Sequence, residues 1–102
     1  MANTINQLNR ILDIQLPNEG GVDWSGEPRP VHSIQFHPGA ANDILQITAG
    51  GLTGPIVFEA EAAAATDFIV KYYHGNIRES LHIDLSDCTL SAGHRVIIIY
   101  AD

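Results

Sequence analysis

Cysteine and basic residues are scarce in this chain of 102 residues. The lone cysteine, Cys88, excludes an internal disulfide and is typical of assembly in a reducing compartment. Five Lys and Arg side chains stand against twelve Asp and Glu, for a formal net charge of -7. Nucleic acids and anionic membrane surfaces are bound through clustered Lys and Arg. We therefore expect neither as a partner.

Long hydrophobic runs are lacking too. No apolar run approaches the ~20 residues that cross a bilayer. The first ten residues, MANTINQLNR, lack the charged and apolar regions of a signal peptide. We therefore expect synthesis in the cytoplasm without secretion.

Catalytic and cofactor motifs do not occur. No serine follows the GxSxG pattern, and the glycines of AGGLTG are not followed by GK[ST]. Cys88 has no basic neighbour in sequence that would activate it, and Glu59 and Glu61 are most simply a solvated strand face. The five histidines do not have the short paired spacings of metal ligands; they are His32, His37, His74, His82 and His94. We expect no catalysis, no cofactor and no metal.

What the chain does contain, from Val31 onward, is a series of short segments with a period of two. They are VHSIQF, ILQIT, PIVFEAEA, DFIVKYYHG, LHIDL and RVIIIY, each bounded by Gly, Pro, Asn or Asp. In the first, alternation places His32 on the same face as Ile34 and Phe36. The pattern predicts an all-β fold, a small antiparallel sandwich or barrel of about six strands. The tract AEAAAAT, residues 60–66, is predicted to be a helical turn or a loop crossing between sheets.

The first thirty residues differ from the rest. Apolar positions recur at helical spacing and favour a short amphipathic helix between Thr4 and Leu16; they are Ile5, Leu8, Ile11 and Leu12. Residues 17–30 are dense in Pro, Gly and acidic residues, which indicates a linker, and they carry the only tryptophan, Trp24. We predict an arm and linker over 1–30 and a β-sandwich domain over 31–102.

The final segment, RVIIIY, is apolar at both its odd and its even positions, whereas a half-exposed strand alternates between apolar and polar residues. Because the second face of a sheet in a two-layer sandwich is normally wet, cover must come from the N-terminal segment or from another subunit. We predict contacts to other subunits from the arm and from this strand, at Ile5, Leu8, Leu12, Trp24, Ile97, Ile99 and Tyr100.

The order of VHSIQFHPGAANDILQI, GPIVFEAEA, FIVKYYHG and LHIDLSDCTLSAGHRVIIIY resembles small virion structural proteins of tailed bacteriophages. The resemblance covers residues 31–102 and leaves out the arm. It implies an all-β, non-catalytic capsid decoration or cement protein, or a head or neck component. It also implies a homo-oligomer, with a trimer favoured, that binds the major capsid protein or another virion protein. The location implied is the virion, after assembly in the host cytoplasm.

Two other functions stay open. A ligand-binding module of lectin-like or adhesion type would stack sugars on Tyr72, Tyr73 and Trp24, with histidines near turns adding hydrogen bonds. Such a module needs Tyr73 and Trp24 exposed, whereas an assembly module buries them. A small cupin-like enzyme would use several of the histidines to hold a metal.

Overall fold

Alternating apolar and polar residues form strands along almost the whole chain. In the computed structural model, which describes residues 3–17 and 20–102, nine strands are formed. In chain order they are β1 (Thr4–Leu8), β2 (Ile11–Gln15), β3 (Trp24–Ser25), β4 (Val31–His37), β5 (Ile44–Ala49), β6 (Ile56–Glu61), β7 (Ile69–Ile77), β8 (Leu81–Ile83) and β9 (Arg95–Tyr100). A single 3₁₀ turn, Leu85–Asp87, follows β8 among these residues.

The strands make two antiparallel sheets that form a sandwich. One sheet has five strands in the order β1-β2-β9-β4-β7, and the other has four in the order β3-β8-β5-β6. The predicted all-β sandwich is therefore confirmed, with more strands than the six expected. Residues 62–68 form a loop that crosses from β6 in one sheet to β7 in the other. The crossing loop expected for the AEAAAAT tract is formed by residues 62–66, whereas Ala60 and Glu61 end β6.

The core lies between the two sheets and is made of alternate residues from their strands. In β9, Val96 and Ile98 face the core, and they lie beside Ile34 and Phe36 of the neighbouring β4. The opposite sheet contributes Leu45, Ile47, Leu81 and Ile83. Burial of these aliphatic and aromatic side chains is the main driving force for the fold.

The predicted amphipathic helix is not formed. Residues 4–15 make a β-hairpin that turns at Asn9 and Arg10, where Asn9 has a φ of 52°. β2 then pairs with β9, so that Leu12 and Ile14 join the core. An isolated helix of this length is marginal in water, whereas the strand gains a ladder of backbone hydrogen bonds and buries its apolar face.

The N-terminal segment consequently belongs to the same two sheets as residues 31–102. Leu16 is fully buried, and Trp24 lies in β3 with 7% of its surface exposed. Parts of the predicted arm, residues 1–2 and 18–19, lie outside the described residues.

The alternation predicted for β4 is wrong at its start. A β-bulge between Val31 and Ser33 shifts the register, so that Val31 is buried and His32 is exposed. An extra residue in one strand reverses the face of those that precede it. His32 therefore lies outside the core that holds Ile34 and Phe36.

Candidate assembly surfaces

The outer face of the five-stranded sheet carries apolar side chains in register across its strands. One cross-strand row contains Leu8 of β1, Ile11 of β2, Ile99 of β9, Ser33 of β4 and Tyr72 of β7. Directly opposed residues in antiparallel strands have side chains on the same face and in contact. The row is thus an almost continuous apolar band across the full width of the sheet.

A second row lies beside the first and adds two more apolar residues. It runs from Asn6 through Asp13, Ile97 and Gln35 to Val70. We call the apolar residues of both rows the outer stripe: Leu8, Ile11, Ile97, Ile99, Val70 and Tyr72. Leu8 is 73% and Tyr72 59% exposed, so large hydrophobic side chains are left in water on this face.

The outer stripe is electrically neutral although the chain is acidic. The charged side chains on this face are Asp13 and Arg95, and they form an ion pair across β2 and β9. The hydrogen bond and charge of Asp13 raise the pKa of Arg95. The repulsion expected between two copies with a net charge of -7 is therefore small at this face.

Aromatic rings border the outer stripe at β7. The Tyr72 ring lies 5.8 Å from the ring of His32 and 6.1 Å from that of His74. His37, at the end of β4, stacks on Phe68, which precedes β7, with their ring centroids 4.3 Å apart. These rings add aromatic surface to the face without adding carboxylates to it.

A groove opens on the opposite side of β1, between the edges of the two sheets. It encloses about 130 Å³ and is lined by Ile5 and Gln7 of β1, by Trp24 and Tyr100, and by the segment that follows β3. Arg29 lies over the Tyr100 ring at 4.1 Å and forms an ion pair with Asp102. The lining of the groove is therefore mixed, with apolar side chains beside the charged ones of Glu27 and Arg29.

The predicted contact residues divide between these two surfaces. Leu8, Ile97 and Ile99 belong to the outer stripe. Ile5 is exposed in the groove. The other three predicted residues also line the groove but are buried in the core of the same chain; they are Leu12, Trp24 and Tyr100. Tyr100 therefore lies on the face of β9 opposite to Ile97 and Ile99.

The aromatic side chains proposed for sugar stacking are mostly buried. Trp24 is 7% and Tyr73 8% exposed. Burial raises the pKa of Tyr73 to about 12, and the Tyr73 hydroxyl donates a 2.5 Å hydrogen bond to the carbonyl of Val57. Of the three side chains, Tyr72 alone presents its ring to solvent, which weighs against a stacking platform.

Sequence reasoning missed a serine–histidine arrangement on the four-stranded sheet. The Nδ1 atom of His82 is 2.8 Å from Ser25 Oγ, and its Nε2 atom is 2.8 Å from Ser80 Oγ. A base beside a serine is one part of a nucleophilic site. Here both ring nitrogens are taken by serines, so no carboxylate orients the imidazole as in a triad. We interpret the two hydrogen bonds of His82 as a structural link between β3 and β8. The Ser80-x-His82 spacing, which places both side chains on one face of an extended segment, was the only sequence signal for it.

A buried carboxylate organises the loops at one end of the sandwich. Asp43 Oδ2 accepts hydrogen bonds from the backbone N–H groups of Gly39, Ala40 and Ser91, and Oδ1 accepts one from Ser91 Oγ. Burial of Asp43 raises its pKa, but the hydrogen bonds from Ser91, Gly39 and Ala40 outweigh it, and the net pKa is lowered. The role of Asp43 is to hold the loops before β5 and before β9 together.

The remaining candidate ligands are dispersed. In residues 3–17 and 20–102, no group of three or more His, Cys, Asp or Glu side chains is placed to hold a metal ion. Burial raises the pKa of the Cys88 thiol, which disfavours the reactive thiolate. Glu59 and Glu61 are exposed on β6, where Glu59 accepts a hydrogen bond from Gln46.

No protein-family model matches the chain, and no curated protein or solved structure is significantly similar to it. In the described part of the chain, no helix has the length and hydrophobicity to span a bilayer.

Proposed function

We propose that this chain is a non-catalytic structural module that assembles with copies of itself through the outer stripe, as a capsid decoration or cement protein. The observation that carries the proposal is the outer stripe itself, a neutral apolar band on β1, β2, β9 and β7 that is interrupted at β4 by Ser33 and Gln35. Ile97 and Ile99 lie at its centre. Their burial by a second subunit would give β9 the cover on both faces that its sequence predicts.

The dimensions of the face are consistent with such a role. Strands spaced by ~4.8 Å, each about five residues long, give the whole five-stranded face an area on the order of 400 Å², of which the outer stripe is the apolar part. Contiguous exposed apolar patches on a monomer are often functional interaction sites. Burial of this apolar surface favours association, and the neutral Asp13–Arg95 pair adds little repulsion.

The virion assignment is supported by the resemblance of residues 31–102 to small phage structural proteins. On this proposal the chain forms a small closed oligomer, with a trimer favoured, that binds the major capsid protein or another virion protein. The acidic charge suits the outside of a shell better than an interior lined with nucleic acid.

Mass spectrometry of purified particles tests the virion assignment. Particles of a tailed phage that encodes the chain are banded on a density gradient, and the chain is quantified against the major capsid protein. We expect many copies per particle. Intact particles that lack the chain would refute the assignment, whatever the oligomeric state of the pure protein.

A further inference from the structure

The edge strand β1 lacks the features that normally protect sheet edges. Its five residues, TINQL, are all exposed and include no charge and no proline. Natural proteins usually shield such an edge with charges, proline, bulges or a very short strand, because its free N–H and C=O groups can pair with another strand. β1 is therefore open to pairing.

The other three edge strands are protected. β6 carries the exposed carboxylates Glu59 and Glu61, and β3 is only two residues long. β7 carries Lys71 and is irregular at His74 and Gly75, both of which have positive φ. Among the described residues, β1 is the exception in both sheets.

The hydrogen-bonding direction of β1 follows from its hairpin. The pair Leu8 and Ile11 flanks the two-residue turn and is hydrogen-bonded. Every second pair along the hairpin is then hydrogen-bonded as well, so the next such pair is Asn6 and Asp13. The bond from Tyr100 N–H to the Arg10 carbonyl shows that the backbone groups of Arg10 point toward β9. Those of the next residue, Ile11, therefore point toward Leu8 of β1, which agrees with this phase. Ile5 and Gln7 consequently direct their backbone N–H and C=O groups away from β2, toward solvent.

The side chains of the same two residues line the groove. They line it together with Trp24, and the groove encloses about 130 Å³. A strand added to β1 would place its own inward side chains beside Ile5 and Gln7 over this space. On β1, the same two residues thus offer free backbone hydrogen-bonding groups and border a groove that can receive side chains.

We propose that β1 pairs antiparallel with β1 of a second copy, about a two-fold axis at Asn6. In that register Ile5 of one copy lies opposite Gln7 of the other, so that outward-facing groups meet only outward-facing groups and each such pair exchanges both backbone hydrogen bonds. A second copy is the favoured occupant because β1 is uncharged in a chain of net charge -7 and complements itself in this register. The edge pairing rests on the proposed self-assembly and adds a second contact to it.

Amide hydrogen exchange tests the pairing directly. At low micromolar concentration we expect the N–H groups of Ile5 and Gln7 to exchange at nearly unprotected rates, because no other described residue accepts a hydrogen bond from them. At millimolar concentration both become protected, while the amide of Asn6, bonded within the hairpin, is protected at both concentrations. Unprotected Ile5 and Gln7 amides at millimolar concentration would overturn the pairing.

A proline substitution separates the edge from the outer stripe. Gln7→Pro removes an outward N–H that has no partner among residues 3–17 and 20–102, a position where edge strands tolerate proline, whereas Gln7→Ala keeps it. In an Ile97→Thr/Ile99→Thr background we expect a dimer for Gln7→Ala and a monomer for Gln7→Pro, with unchanged circular dichroism. Equal masses for the Gln7→Ala and Gln7→Pro variants would refute the edge pairing. If Ile97→Thr/Ile99→Thr without a change at Gln7 loses the larger oligomer but remains a dimer, the edge pairing stands.

Discussion

The Nε2 atom of His94 accepts a 2.8 Å hydrogen bond from the backbone N–H of Leu16, across 78 positions of sequence. The Nδ1 atom of the same ring lies 2.7 Å from the carbonyl oxygen of Ser91. Because a backbone N–H can only donate and a carbonyl can only accept, the ring is neutral with its hydrogen on Nδ1. His94 thereby fixes the end of β2 to the loop before β9.

Replacement of His94 should therefore destabilise the fold. His94→Ala leaves the Leu16 N–H and the Ser91 carbonyl without their partner, and we expect a loss of about 2 kcal/mol in the free energy of unfolding, in the range for buried unsatisfied groups. Urea denaturation measures it. His32→Ala, at an exposed ring, serves as the control and should change stability by less than about 0.5 kcal/mol. Similar losses for both variants would contradict the role of His94.

Asp43 predicts how stability depends on acid pH. Its folded pKa lies below the ordinary value of 3.8, so the ionised carboxylate stabilises the fold fully above that value. The stabilisation is lost as the pH falls through the folded pKa. We expect Asp43→Asn to cost about 1–3 kcal/mol near neutral pH and to flatten the decline of stability below about pH 4. Asp87→Asn, at an exposed site, should keep the wild-type slope.

Tyr73 predicts the behaviour at alkaline pH. Its pKa of about 12 in the folded state exceeds the ordinary value of 10.0, so burial of the neutral phenol stabilises the fold fully below pH 10 and progressively less up to about 12. Tyr73→Phe should lose this alkaline decline and cost about 0.5–1.5 kcal/mol at neutral pH, for one hydrogen bond to Val57. Thermal unfolding at a series of pH values decides it; an unchanged alkaline slope in Tyr73→Phe would argue against the assignment.

Gly26 determines how Trp24 packs beside the groove. A Cβ atom at Gly26 would lie 2.6 Å from Cη2 of Trp24, so the indole must move. We expect Gly26→Ala to cost about 1–3 kcal/mol through overpacking and to shift the fluorescence of the lone tryptophan. At Gly51 a Cβ meets nothing within 4 Å, and Gly51→Ala should leave both stability and fluorescence near wild type.

The strands from Val31 onward could be predicted as segments of the chain because most of them alternate between apolar and polar residues and are bounded by turn residues. Leu81 and Ile83 of β8 are buried, as their period of two predicts, and Phe68 and Tyr72 are exposed on the opposite phase to buried Tyr73. Because RVIIIY is apolar at successive positions, it was predicted to need cover on both of its faces. Ile97 and Ile99 lie on the outer face of the sheet.

The N-terminal hairpin could not be predicted in the same way. Ile5, Leu8, Ile11 and Leu12 have helical spacing because the turn at Asn9 reverses the chain between two strands, and tertiary pairing with β9 then overrides the local pattern. The groove could not be predicted from the sequence either, since Ile5, Trp24 and Tyr100 are brought together only by the order of the strands in the sheets. A lone Asn-Arg turn is a weak hairpin signal compared with Asn-Gly.

The most direct measurement of the central claim is the solution mass by light scattering of chains whose edge is blocked by Gln7→Pro. With the outer stripe intact, we expect a closed oligomer, a trimer in our proposal. Adding Ile97→Thr and Ile99→Thr should reduce it to a monomer of 11.1 kDa. Ile56→Thr, at an exposed isoleucine outside the stripe, should leave the oligomer unchanged. A monomer with the stripe intact, at every concentration up to millimolar, would contradict assembly through this face.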